Sequence, residues 1–181
     1  MHRNENFGWY TNWNKGDDST LKLLLENWRE YLNENTEEML KMSLHDFDQT
    51  GKGWRRFKDP KQQVEIMSRY LKTNPTAADD QVFMWHLGQA LVFAGDLTNG
   101  IGRMKEANAK EQHEYNKLYQ LFTIAFIEKD MTTFNSLYDK YKEQIEGNDK
   151  DTNIQIVKCM KQCASKGNFD YKSAYTTRCL C

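Results

Sequence analysis

The chain has 181 residues, which gives one domain of about 150 residues and room for an additional arm. Apolar residues make up 39% of it, aromatics 13% and charged residues 28%, with a formal net charge of −1. That balance excludes a disordered polyelectrolyte and gives no overall basic bias toward nucleic acid, and no run approaches the roughly 18 apolar residues of a membrane-spanning helix.

Residues 1–18 place Phe7, Trp9, Tyr10 and Trp13 among Asn and Gly without a helical period. They predict an extended arm, followed by a single helical domain over 19–181. Arg3, Glu5, Lys15, Asp17 and Asp18 leave no apolar stretch in the arm, so no signal peptide is expected there.

The first helix is predicted near 19–33, with Leu21, Leu24, Leu25, Trp28, Tyr31 and Leu32 on one stripe. A second follows near 36–47, where Asn35 and Glu38 imitate a capping box. Residues 48–59 contain Gly51 and Gly53 and predict a loop. Asp59-Pro60 is a strong helix start, because the carboxylate caps and proline suits the first helical position. It opens a third helix near 60–73, which Asn74-Pro75 ends.

The fourth helix, near 77–94, is the most apolar and should be central. Gly95-Asp96 predicts a tight turn into a fifth helix near 97–109, whose Gly100 and Gly102 would each weaken it by roughly 1 kcal/mol relative to Ala. Their small size is expected to admit a close helix contact. A sixth helix near 112–128 turns at Lys129-Asp130 into a seventh near 131–146. An eighth near 152–165 and a short last turn with Phe169, Tyr171 and Tyr175 complete the chain. No convincing period-2 run occurs, so the fold class expected is all-α.

Helices paired around short turns are what a helical solenoid requires. The stretch from Met84 to Ala107, MWHLGQALVFAGDLTNGIGRMKEA, resembles a tetratricopeptide repeat, a helix–turn–helix unit of about 34 residues. Leu87-Gly88 matches its Leu-Gly pair and Gly95-Asp96 its turn. Leu97, Gly100, Met104 and Ala107 fall on its aromatic and small positions. A shift by one such repeat length carries Asp96 onto Asp130 and Thr98 onto Thr132, but puts Phe122 where Gly88 stood. The runs HLGQALVFAGD and TIAFIEKD also resemble segments of helical bacterial proteins.

The resemblance implies antiparallel helix pairs stacked as a short right-handed solenoid, with a concave face built by the first helix of each pair. On that face it places Trp85, Gln89, Tyr119 and Thr123 as groove candidates. The family's subset that grips a peptide C-terminus with Lys and Asn is not matched by Trp85, Gln89 and Phe93. The function implied is therefore non-catalytic binding of an apolar or extended protein segment, with the chain's own arm as one occupant. Residues 150–181 carry six Lys or Arg against two Asp or Glu, a tail that also reads as a solvated helix face.

No catalytic set, metal site or cofactor motif stands out. Asp46, Asp48, Thr50 and Gly51 imitate the start of a calcium loop, but Phe57 replaces the required Glu, and Arg55 and Arg56 sit where anions are wanted. His86 reads as a hydrogen-bonded wall residue. An enzyme would have to assemble scattered groups such as His86, Asp96 and His113. All four cysteines, Cys159, Cys163, Cys179 and Cys181, are clustered at the C-terminal end of the sequence. On a helix Cys159 and Cys163 share a face. Two bridges from the tail back to that helix would fit. Free thiols and a four-thiolate zinc site remain open alternatives. Bridged cysteines would imply an exported, clipped helical protein, and free ones a cytoplasmic location.

Overall fold

The structure is a computed structural model. It describes residues 35–148, 150–175 and 179–181, together with Lys22, Leu23 and Glu26. The arm over 1–18 and most of the first predicted helix lie outside these residues. The chain divides into two units, Met1–Lys41 and Met42–Cys181. In the first, residues 35–40 form a helix.

In the second unit, α1 spans Leu44–Gln49, α2 Pro60–Thr73, α3 Gln81–Phe93, α4 Leu97–Lys110 and α5 Glu114–Glu128. They are followed by α6 at Met131–Lys140, α7 at Lys142–Glu146, α8 at Thr152–Ser165 and α9 at Tyr171–Ala174. Short 3-10 turns occupy Trp54–Arg56 and Pro75–Asp79. No strand occurs among the described residues, so the protein is all-α.

Aspartate sets most of the helix starts. The carboxylates of Asp59, Asp80, Asp96, Asp130, Asp151 and Asp170 each accept a backbone N–H from the first turn of the helix that follows. Each supplies an acceptor to an otherwise orphaned donor, worth about 1 kcal/mol. Two predicted helices are interrupted. The one expected over 36–47 stops and restarts, because the Ser43 hydroxyl accepts from the Asp46 N–H and opens α1 as a new helix. The one expected over 131–146 breaks at Tyr141 (φ −112°, ψ 16°), and Ile145 beyond the break is fully buried.

Helices α3 and α4 form the tightest pair in the fold. A Cβ on Gly100 would lie 2.9 Å from both the Gly88 carbonyl oxygen and the Val92 amide nitrogen. A Cβ on Gly88 would lie 2.6 Å from Met104 Cγ and 3.0 Å from the Gly100 carbonyl oxygen. Glycine is thus needed at both positions for the backbones to meet. Gly102, expected to share this role, faces open space, with nothing within 4 Å of such a Cβ. Opposite signs are expected on one helix. Gly102→Ala should stabilise by up to about 1 kcal/mol through helix propensity. Gly100→Ala should destabilise by about 1–2 kcal/mol, because overpacking outweighs the same gain. Denaturant midpoints of the two variants measure this, and shifts of the same sign would contradict the close crossing.

The α5–α6 hairpin repeats the chain reversal of α3–α4. Gly95 (φ 94°) and Lys129 (φ 60°) are both left-handed and stand one repeat length apart. The next residue caps the second helix in each case, and its N–H reaches back 2.9 Å to Leu91 O from Asp96 and to Ala125 O from Asp130. The core runs from stacked Phe47 and Tyr70 (centroids 3.8 Å apart) beside Phe83 to the Phe122, Phe126 and Phe134 cluster. Helix α5 packs on α4, α6 and α8, and α9 returns from α8 to touch α3.

Candidate functional site

Near its end, before the exposed Gln49, helix α1 turns two consecutive residues inward. Phe47 enters the core, and Asp48 is only 2% exposed despite its charge. Such a carboxylate must be compensated. His86, in the middle of α3, places Nδ1 2.9 Å from both Asp48 oxygens. The Trp54 indole N–H donates to Oδ1 at 2.8 Å, and the Gln49 amide donates to Oδ2. Arg55 donates through Nε to the Asp48 backbone carbonyl at 2.8 Å. Burial alone would raise the Asp48 carboxyl. The hydrogen bond and charge of His86, the Trp54 N–H and the charge of Arg55 outweigh it and hold that carboxyl below its usual range.

A cavity of about 370 Å³ opens on the other side of this pair. His86, Trp54, Phe93 and Tyr175 form part of its wall, and Arg55, Lys58 and Lys172 line it as cations. The Arg55 guanidinium lies 4.3 Å above the Trp54 ring and brings Nη2 to 3.4 Å from each ring nitrogen of His86.

A second, more polar cavity of about 220 Å³ shares the His86, Gln89 and Tyr175 wall. It is lined by Trp85 and Tyr119 and edged by Asn116, Gln120 and Asn153. Three of the four predicted groove residues therefore do come together. They do not form an open groove. Trp85, Gln89, Tyr119 and Thr123 are all buried. The Thr123 hydroxyl is bonded to Tyr119 O, and the Gln89 amide donates to the Tyr171 hydroxyl of α9 at 2.7 Å. The chain's own C-terminal segment covers this face: Tyr171 stacks on Phe93 at 5.1 Å, and Tyr175 packs edge-on against both. Burial pushes the Tyr119 and Tyr171 hydroxyls well above the ordinary phenol range.

The covering segment is held by its cysteines. Cys159 pairs with Cys179 and Cys163 with Cys181, with Cα atoms 4.8 and 5.3 Å apart. Two of the three possible connectivities tie each tail cysteine to α8, and this is one of them. No protein-family model matches the chain, and no curated protein or solved structure matches it either.

The scattered groups considered for catalysis are not joined. Asp96 caps α4 through the Asn99 N–H, His113 is exposed at the start of α5, and His86 is bound to Asp48 instead. Among the described residues no three His, Cys, Asp or Glu gather as a metal site. Asp48, third in the imitation calcium loop, is spent on His86 and Trp54. This role was not foreseen from the sequence. Its signal was an aspartate next to a core phenylalanine on an apolar stripe, a position where charge needs a buried partner.

Proposed function

We propose that the chain is a non-catalytic protein- or peptide-binding module, built as a short tetratricopeptide-like right-handed solenoid. The observation that carries this reading is the recurrence, one repeat length on, of the left-handed residue, the capping aspartate and the back-reaching N–H at both hairpins. Local chemistry that recurs at the family's spacing is the mark of stacked helix pairs. The polar cavity lies against the first helices of both pairs, α3 and α5. The polar one offers amides at Asn116, Gln120 and Asn153, groups suited to an extended backbone. The paired cysteines favour an exported protein and an oxidising compartment.

Panning a random-peptide display library on the intact, unreduced chain tests the reading. The selected peptides are expected to lose about tenfold in affinity to Asn116→Ala and to Asn153→Ala, which remove amides without touching the core. A library that yields no binder above an unrelated helical protein, or binders indifferent to both variants, would overturn it.

A further inference from the structure

We propose that the cavity between Trp54 and Tyr175 binds a small organic anion, a carboxylate or phosphate head group carried on an aromatic or aliphatic body. This goes beyond the peptide reading and does not rest on it.

Charge is the first argument. Every charged side chain that lines the cavity, apart from the titratable His86, is cationic: Arg55, Lys58 and Lys172. None of the three has a carboxylate within ion-pair distance among the described residues. Asp48 is buried with donors of its own from Trp54 and His86, and Arg55 meets it at the backbone carbonyl rather than at the carboxylate. Three cations drawn from two distant stretches, 55–58 and 172, thus line one concavity. A concave, low-dielectric wall concentrates their field on an anion.

Shape and geometry add the rest. The volume of about 370 Å³ lies within the usual range for small-molecule sites, roughly 300–1,000 Å³. Pro60, Ala90, Phe93 and Tyr175 give it an apolar side for a hydrocarbon or ring. Arg55 is oriented before any ligand arrives, because its Nε is tied to the Asp48 carbonyl and its plane rests on Trp54. Nη2 faces His86, so Nη1 is the terminal nitrogen that would meet an oxygen of the head group. Lys172 reaches the cavity from α9, which packs on both α3 and α8.

The test is an NMR titration of the intact, oxidised chain, following the Trp54 indole N–H that Asp48 holds. The probes are 3-phenylpropanoate, phenyl phosphate, inorganic phosphate and the neutral 3-phenylpropan-1-ol. At least one of the two aromatic anions is expected to give a saturable shift with a Kd near or below about 1 mM, and which one does so assigns the head group. The alcohol and inorganic phosphate are each expected to bind about tenfold or more weakly than that anion. The double variant Lys58→Gln, Lys172→Gln changes only exposed groups and should weaken the anion about tenfold or more while leaving the α5–α6 resonances in place. The proposal fails if neither aromatic anion saturates, if the alcohol or inorganic phosphate matches them, or if the double variant keeps wild-type affinity. Loss of peptide binding in Asn116→Ala or Asn153→Ala does not alter these outcomes, so the two readings stand or fall apart.

Discussion

Asp48→Ala is expected to lower the unfolding free energy by about 3 kcal/mol, because several buried donors lose one shared acceptor at about 1–3 kcal/mol each. The loss comes from what it leaves behind. The Trp54 N–H, the Gln49 amide and His86 Nδ1 lose their acceptor together. His86 keeps 17% of its side chain in contact with solvent, which moderates the penalty. Because these donors share one carboxylate, Asp48→Ala and His86→Ala should not be additive, and the double variant should cost less than the sum by about 1 kcal/mol or more. The pH dependence follows from the direction of the shift. The folded carboxyl is held below its unfolded value near 3.9, so its contribution is fully present above that value. It is lost as pH falls through the lower folded value. Urea melts between neutral pH and strong acid should show wild type losing this increment where Asp48→Asn does not. A variant within about 0.5 kcal/mol of wild type at neutral pH, or strict additivity with His86→Ala, would remove the pair from the account of stability.

Reduction of the two disulfides should act on one end of the molecule first. The bridges close loops of 20 and 18 residues. In the chain-entropy picture the first such loop is worth about 3 kcal/mol, and the second adds less because it encloses nearly the same segment. With the bridges open, Tyr171 and Tyr175 keep their contacts with Phe93 and Gln89 but lose the covalent tie to α8. Hydrogen exchange is expected to rise sharply over α9 and at Tyr119 after reduction. The α3–α4 hairpin, closed by Gly88 and Gly100, should keep its protection. A thiol titration of the native, unreduced chain should find no reactive cysteine. Four reactive thiols in that sample, or identical exchange before and after reduction, would refute the clip.

Both effects arise from contacts between distant parts of the chain, and such contacts were the least legible part of the sequence. Asp48 and His86 are 38 residues apart, and Gln89 and Tyr171 are 82 apart. Hydrophobic period and capping residues act over three or four positions and carry no record of which helix face a later segment will cover. Trp85, Gln89, Tyr119 and Thr123 were legible as one face of the first helices. That α9 would close this face was not, because a four-residue helix has too little pattern to reveal what it packs on. The continuous apolar spacing over 36–47 and 131–146 likewise concealed breaks at Ser43 and Tyr141.

Sequence alone determined the helical class, the start of α2 at the capping Asp59 and Pro60, and the need for small residues where α3 meets α4. Each is settled by backbone donors, local sterics and the 3.6-residue period within a turn or two. Tertiary structure alone decided that Gly100 and not Gly102 sits at the crossing, that Asp48 pairs with His86, which cysteines pair, and that three cations surround one cavity. Those outcomes depend on distances between segments that no local energy relates, and only the packed chain sets them.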